Sequence, residues 1–250
     1  MVRHHDRLLQ ELRLAEQVQR SMLPRTLPRP PGVEFGAVLR PSLHLAGDFY
    51  NVFRLDQHRV GFYLGDVMGH GPAAALLGVF AMLVFQPKKI EGTSYEILPP
   101  ALALEALNRE LLAADFPGGP FITMIYGVLD TQRRVWTYCA AGHPPALLLR
   151  KSGRPITLDS NSPLLGVVDG PFVQKEVSLQ PGDRIVLYSD GIDLIEWADR
   201  GRGIGGLINL LSERDGGSPQ ELLDSALQEA ASAIDPPPDD LALLIAQVEG

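Results

Sequence analysis

The sequence predicts a layered α/β sandwich in which mostly antiparallel sheets are covered by pairs of helices. Predicted strands follow one another across short polar turns, as they do in hairpins, and predicted helices arrive in pairs instead of singly between strands. A doubly wound parallel sheet needs a crossover connection between successive strands, so this pattern disfavours it. With 250 residues and 45% hydrophobic content, the chain can bury a full core.

The first 31 residues are predicted as a separate regulatory segment, ahead of one domain over residues 32–250. A polar helix is expected over residues 5–22, with an apolar stripe that Gln19 interrupts. The stripe consists of Leu8, Leu12, Ala15 and Met22. Prolines then end the helix and form a stiff connector; they are Pro24, Pro28, Pro30 and Pro31.

The remaining elements are predicted from alternation, apolar runs and turn residues. Strands are expected at 33–40, 48–55, 59–66, 120–130, 134–141, 145–150, 155–159, 172–179, 183–190 and 240–248. Helices are expected at 71–86, 100–114, 203–213 and 218–234. Ser218-Pro219 supplies an N-cap and a first helical residue for the last helix.

Composition excludes several classes of protein. The net charge of −8 argues against a nucleic-acid-binding surface, which is normally basic. The longest apolar run, Ala73–Phe85, is shorter than the roughly 20 residues that a membrane span needs. Cys139 is alone, so no intrachain disulfide forms, and the N-terminus shows no signal-peptide core. We therefore expect a soluble, cytoplasmic protein.

Aspartates recur where predicted strands begin or end. They are Asp48, Asp66, Asp190 and the pair Asp239-Asp240, and no His or Cys accompanies them at metal-ligand spacing. Carboxylates gathered without a cation repel one another and raise each other's pKa. A hard divalent ion resolves that repulsion, and an all-oxygen ligand set favours Mg²⁺ or Mn²⁺ over Zn²⁺. The alternative to a metal-binding role is that each acid is a turn residue or a helix cap.

A glycine-rich turn follows Asp66 in the stretch G-D-V-M-G-H-G-P. It lacks the Gly-Lys-Ser/Thr of a Walker loop and the spacing of a dinucleotide-binding fingerprint. His70 in this turn is a candidate general acid, and His143 in A-A-G-H-P-P is a weaker one. No Gly-x-Ser-x-Gly elbow or Cys/His pairing offers a covalent nucleophile, so the remaining mechanism is a metal-activated water acting on a phosphate monoester.

These residues resemble a known family over about residues 16–248. The matching stretches are A-E-Q-V-Q-R-S-M-L-P, A-G-D-F-Y, G-D-V-M-G-H-G-P-A-A-A-L-L, F-I-T-M-I-Y-G-V-L-D, A-A-G-H-P-P-A-L-L-L-R, L-Q-P-G-D-R-I-V-L-Y-S-D-G and D-D-L-A-L-L. In order and spacing, the chain resembles the PPM-type, metal-dependent Ser/Thr phosphatases, in the bacterial branch typified by RsbU and the stage II sporulation phosphatase E.

The resemblance implies an α-β-β-α sandwich with two Mn²⁺ or Mg²⁺ ions at one end of the sheets. It implies that Asp66 bridges both ions and that the backbone carbonyl of Val67 contributes. Asp190 and Asp239 would complete the second site, with Asp48 as a ligand directly or through water. Asp240 is the alternative to Asp239, because an adjacent pair leaves the register open.

The resemblance also implies a substrate and partners. Substrates of this branch are phosphoserine or phosphothreonine on STAS-type anti-sigma-factor antagonists, and the N-terminal helix resembles a linker to an upstream sensor, an activator or a dimer partner. Two alternatives stay open: a catalytically silent scaffold that binds an anti-sigma or STAS partner, and a two-metal phosphoesterase for small molecules. Ala46, Met68 and Ala242 depart from the usual family pattern.

Overall fold

The computed structural model describes residues 2–92, 94–151, 153–213, 216–233 and 236–249. The helices are α1 (Val2–Met22), α2 (Pro72–Val84), α3 (Pro100–Ala114), α4 (Gly203–Ser212) and α5 (Pro219–Ala233), with 3₁₀ helices at Asp190–Leu194 and Ala198–Arg200. The strands are β1 (Val33–Arg40), β2 (Phe49–Arg54), β3 (Arg59–Val67), β4 (Lys88–Glu91), β5 (Ser94–Ile97), β6 (Ile122–Asp130), β7 (Val135–Ala141), β8 (Ala146–Leu149), β9 (Ile156–Leu158), β10 (Lys175–Ser178), β11 (Arg184–Tyr188) and β12 (Leu241–Val248).

Two five-stranded sheets form the centre of the molecule. One has the strand order β1-β12-β11-β8-β9 and the other β10-β7-β6-β3-β2. Every strand pairing in both sheets is antiparallel. This confirms the predicted antiparallel sheets. Short connections join β2 to β3, β6 to β7 and β8 to β9, while the other five pairings bring together strands that are distant in the sequence.

The core is divided into three apolar layers. The middle layer lies between the two sheets and includes Phe62 stacked on Trp136, with ring centroids 5.4 Å apart. One outer layer packs α2 and α3 against the β10-β7-β6-β3-β2 sheet. The other packs α4 and α5 against the β1-β12-β11-β8-β9 sheet. The predicted α-β-β-α sandwich, with a helix pair on each face, is therefore confirmed.

The structure differs from the predicted elements in a few places. The hairpin β4–β5 lies between α2 and α3, where no strand was predicted, and its exposed Ile90 and Tyr95 give it little apolar face to recognise in sequence. The strand expected at 172–179 shortens to β10, an edge strand that pairs only with β7 within its sheet in the described residues. Residue 234, the predicted end of the last helix, lies outside the described residues.

The N-terminal segment packs onto the domain. Leu23 and Leu27 of the connector contact the layer between the sheets, while Leu8, Leu14 and Val18 of α1 are exposed. The division of the chain after residue 31 stays a prediction. Within the described residues, no helix has both the length and the apolar character needed to cross a membrane.

Candidate metal centre

The predicted acids meet at one end of the two sheets. Asp48 directly precedes β2, and Asp66 lies one residue before the end of β3, the strand that pairs with β2. From the other sheet, Asp190 follows β11, while Asp239 and Asp240 precede its neighbour β12. Strand ends are rigid positions, and antiparallel pairing brings the end of one strand beside the start of the next.

Asp48 and Asp66 are the most strongly perturbed carboxyl groups of this cluster. Burial and the charge of Asp66 raise the pKa of Asp48 well above its usual value, although a hydrogen bond with Ser189 lowers it. Burial raises the pKa of Asp66 to about 7, with added repulsion from Asp190 and Asp239. Asp48 is 2% exposed, and its Oδ2 has no hydrogen-bond partner in the described residues. Both groups are therefore harder to ionise than a free aspartate unless positive charge is supplied.

Asp190 begins the first 3₁₀ helix and is followed by Gly191. Burial and the charges of Asp239 and Asp193 raise the pKa of Asp190. A Cβ on Gly191 would collide with the backbone carbonyl oxygen of Asp240. The sequence Asp-Gly therefore lets the chain leave β11 in direct contact with the segment that carries the adjacent acid pair.

The two members of the acid pair have different surroundings. Asp240 is 5% exposed; its Oδ1 accepts hydrogen bonds from the backbone amide and hydroxyl of Ser42, at 2.7 and 2.9 Å. Its Oδ2 accepts one from the amide of Gly47, at 2.7 Å. Asp239 is exposed, and its Oδ1 accepts a hydrogen bond from the amide of Asp240. Asp240 is thus committed to holding the β1–β2 loop, which leaves Asp239 the freer ligand.

The glycine-rich turn after β3 packs against the loop that carries Asp48. A Cβ on Gly47 would lie 3.0 Å from the carbonyl oxygen of Val67 and 3.1 Å from that of Gly69. The two loops are therefore in close backbone contact at the site, and a side chain at residue 47 would push them apart by a few tenths of an ångström. The Val67 carbonyl oxygen thus lies beside Gly47, the residue that precedes Asp48.

The two candidate histidines occupy different environments. His70 is exposed in the turn, and no hydrogen bond or ion pair joins it to an acid among the described residues. His143 is buried, with its Nδ1 2.9 Å from the hydroxyl of Thr123. Thr123 pairs with Asp66 across β3 and β6. Burial lowers the pKa of His143 to about 3, opposed by the backbone of Tyr188, so this imidazole is neutral near pH 7.

The donor set fits hard divalent cations. All of its side chains are carboxylates, one buried oxygen of Asp48 is unpaired, and the acids raise each other's pKa. As the side chains lie, no three His, Cys, Asp or Glu groups of the described chain surround one point closely enough to hold an ion. The acids nevertheless influence one another electrostatically, and the side chains of Asp48 and Asp66 share a hydrogen bond.

Sequence reasoning missed the residues that hold these acids. The hydroxyl of Ser189 accepts a hydrogen bond from the amide of Ala242, at 2.9 Å, and this contact joins β11 to β12 beside the site. Ser42 binds Asp240, and Gln19 of α1 reaches the backbone of Ala46. The sequence signal that could have found them is a polar residue in an apolar pattern, since Gln19 interrupts an apolar stripe and Ser189 ends an apolar strand.

Comparison with known proteins identifies the family. The model of the family described as Stage II sporulation protein E (SpoIIE) matches residues 56–249. Asp48 and the N-terminal segment precede that match. The chain is 32% identical to the phosphoserine phosphatase RsbP of Bacillus subtilis over 73% of its own length and 45% of that protein. It is 29% identical to the phosphoserine phosphatase RsbU of B. subtilis, over 73% of this chain and 53% of that one. The chain thus spans about half the length of these relatives.

Solved structures show the same fold. The SiaA-PP2C domain of Pseudomonas aeruginosa superimposes with a TM-score of 0.82 at 20% identity, covering 100% of both chains. The RsbU and RsbW domains of a Mycobacterium tuberculosis protein give a TM-score of 0.74 at 26% identity, over 90% of this chain and 64% of that one. The chain belongs to the SpoIIE family and has the fold of PP2C-type phosphatase domains.

Proposed function

We propose that the chain is a metal-dependent protein phosphatase that hydrolyses phosphoserine or phosphothreonine on a signalling protein. The observation that carries the proposal is the meeting of Asp48, Asp66, Asp190 and Asp239 at one end of the sandwich, where burial and mutual repulsion call for positive charge. The relatives RsbP and RsbU, both named phosphoserine phosphatases, support the reaction class.

Each residue has a defined part in the proposal. Asp48, Asp66, Asp190 and Asp239 would hold two Mn²⁺ or Mg²⁺ ions, together with the Val67 carbonyl. When bound, such ions would lower the pKa of a water and offset the charge of the phosphoryl oxygens. Asp240 holds the loop that carries Asp48. His70 keeps its predicted part as a general acid, which its exposed position in the turn leaves sterically possible. A related structure is that of RsbX in complex with magnesium.

The proposed substrate is a phosphorylated STAS-type anti-sigma-factor antagonist. The resemblance to the RsbU branch supports this class, as does the similarity to a chain that joins RsbU and RsbW domains. The net charge of −8 is consistent with a protein substrate and argues against nucleic acid.

The central test is hydrolysis of p-nitrophenyl phosphate and of a phosphoserine-bearing STAS protein, with Mn²⁺ and with a chelator. Asp66→Asn should abolish turnover, because it removes the carboxylate that interacts with each of the other acids. Asp199→Asn is the matched control, since Asp199 is exposed outside the cluster. Equal turnover with Mn²⁺ and with chelator would contradict the proposal.

A catalytically silent scaffold is the second candidate. The observation in its favour is that no three of the described acidic side chains converge on one point. Calorimetric titration with Mn²⁺ separates the two: binding without turnover of any phosphoprotein would favour the scaffold. Turnover of p-nitrophenyl phosphate but not of phosphoproteins would favour the small-molecule phosphoesterase.

We also propose that α1 serves regulation or dimerisation. Its Leu8, Leu14 and Val18 are 50%, 62% and 56% exposed, which leaves apolar surface for a second copy or an activating partner. Leu14→Glu with Val18→Glu should abolish self-association in sedimentation analysis without touching the buried part of the helix. An unchanged oligomeric state and rate would remove this role.

A further inference from the structure

His143 is a buried polar residue that the proposed ligand set does not use. It lies in residues 142–145, which carry the chain from β7 in one sheet to β8 in the other. Its side chain is buried, and its Nδ1 lies 2.9 Å from the hydroxyl of Thr123. Its Nε2 is buried without a hydrogen-bond partner among the described residues. The imidazole thus lies where the chain crosses between the sheets, with one of its nitrogens engaged.

Thr123 connects this imidazole to the acidic site. Thr123 and Asp66 are paired directly across β6 and β3, so their side chains lie on the same face of the sheet, with Cβ atoms about 5 Å apart. That face is turned toward the second sheet, because the next pair along it, Leu64 and Ile125, belongs to the layer between the sheets. The side chain of Thr123 is therefore a direct neighbour of the Asp66 side chain.

The imidazole also reaches the sheet that carries Asp190. The backbone of Tyr188 opposes the lowering of the His143 pKa by burial, which places the ring near the end of β11. Asp190 follows Tyr188 by two residues. His143 thus has a neighbour in each sheet, one paired with Asp66 and the other just ahead of Asp190.

A general acid and a packing residue are the other parts that His143 could play. Its pKa of about 3 leaves the imidazole neutral near pH 7, and a neutral imidazole is a poor general acid. An apolar side chain of similar size would fill the same space without a buried, unpaired nitrogen, which costs free energy. A histidine at this position therefore follows from its contact with Thr123 and not from packing.

We propose that His143 and Thr123 form a positioning pair: the hydrogen bond between them fixes the Thr123 hydroxyl beside Asp66, and so sets the orientation in which the Asp66 carboxylate meets a divalent cation. The identity of the ligand rests on the proposed function. A hydroxyl held by one partner has a defined direction for its second hydrogen bond, whereas loss of the imidazole leaves it free to rotate. Removing such a contact behind a metal ligand weakens metal binding by about 10–100-fold.

The test is a double-mutant cycle on Mn²⁺ affinity, measured by calorimetry. Thr123→Val keeps the shape of threonine and loses its hydroxyl, and His143→Leu loses Nδ1. Each should weaken Mn²⁺ binding about tenfold, and the double variant should be no weaker than either single variant, because both remove the same hydrogen bond. Thr123→Ser keeps the hydroxyl and should bind Mn²⁺ as wild type does. Thr157→Val, at an exposed threonine of β9, is the matched control and should leave the affinity unchanged.

A second measurement separates positioning from a loss of folding. In NMR spectra, Mg²⁺ should shift the ring resonances of His143 in wild type and in Thr157→Val, and much less in Thr123→Val, where the imidazole has lost its link to Asp66. His143→Asn serves if the leucine variant does not fold; its carboxamide can take the place of Nδ1, so its loss of affinity should be smaller than that of Thr123→Val.

Two results would overturn the proposal: wild-type Mn²⁺ affinity in folded Thr123→Val, or losses that simply add in the double variant. If wild type binds no Mn²⁺, the proposed function fails. The same cycle on urea unfolding in chelator then still decides whether Thr123 and His143 act as a pair, since losses of stability that add would show that they do not.

Discussion

Asp66→Asn should make the metal-free protein more stable at alkaline pH while removing its activity. Burial and the neighbouring charges of Asp190 and Asp239 raise the pKa of Asp66 from 3.8 to about 7. Between those two pH values the folded chain holds a proton that the unfolded chain has released. Stability therefore falls as the pH rises through this window, and asparagine, which cannot ionise, escapes the loss.

The size of the effect follows from the shift. One pKa unit corresponds to about 1.4 kcal/mol, so the rise from 3.8 to about 7 destabilises the metal-free fold by up to about 4 kcal/mol above pH 7. Of the rise in the Asp66 pKa, roughly one unit lies below pH 5 and roughly two units lie between pH 5 and pH 7, and the stability of the wild type falls over each range in that proportion. The stability difference between Asp66→Asn and wild type should therefore grow by about 3 kcal/mol between pH 5 and pH 8.

Urea unfolding in chelator at pH 5 and at pH 8 measures this difference directly. Asp199→Asn is the control and should give the same difference from wild type at both pH values. Saturating Mn²⁺ should remove the advantage of Asp66→Asn, because bound cations stabilise the wild-type carboxylate by mass action. If the difference between Asp66→Asn and wild type does not change between pH 5 and pH 8, the electrostatic account of this site is wrong.

Further predictions concern the residues around the acids. Asp240→Ala should lower the free energy of unfolding by about 3 kcal/mol, because it leaves donors of the β1–β2 loop without a hydrogen-bond acceptor. Asp239→Ala should change stability by less than about 1 kcal/mol and still abolish turnover. Similar stability losses in the two variants would contradict the different roles given to Asp239 and Asp240. Gly191→Ala should destabilise the fold by about 3 kcal/mol, because the added Cβ collides with the backbone carbonyl of Asp240. Gly205→Ala on α4, where the added Cβ meets open space, should stabilise the fold by about 0.5–1 kcal/mol. The midpoints of urea unfolding measure both effects. The ring resonances of His143 should not shift between pH 5 and pH 8 in an NMR titration, since its pKa is about 3; a midpoint near pH 6 would refute its burial as a neutral group.

The hairpins of the fold could be predicted from local patterns because their connections are short, whereas pairings between distant strands, such as β1 with β12 and β3 with β6, could not. Antiparallel neighbours joined by polar turns give both strand positions and pairing, and β2–β3 and β6–β7 lie within a residue or two of their predicted bounds. The hairpin β4–β5 escaped because two four-residue strands with exposed side chains carry no apolar alternation. Prediction fails where tertiary contacts alone stabilise an element.

The candidate site, too, was only partly predictable from the sequence. Strand-end acids can be recognised individually, but adjacent Asp239 and Asp240 look alike until the hydrogen bonds from Ser42 and Gly47 distinguish them. Gln19 looked like a defect in an apolar stripe because its partner, Ala46, is 27 positions away. Roles that depend on contacts between distant segments are not encoded in spacing. The assignment of individual metal ligands stays a prediction.

The pairing of β1 with β12 has a mechanical consequence. Val33 lies opposite Val248, so the N-terminal connector and the end of β12 leave the same edge of the sheet side by side. A force that draws these two ends apart acts across the strands and opens their hydrogen bonds one pair at a time, the direction in which a sheet resists least. Because β1 leads directly into the loop that carries Asp48, such a force would reach the acidic cluster once β1 has been peeled from β12 as far as the pair Arg40–Leu241.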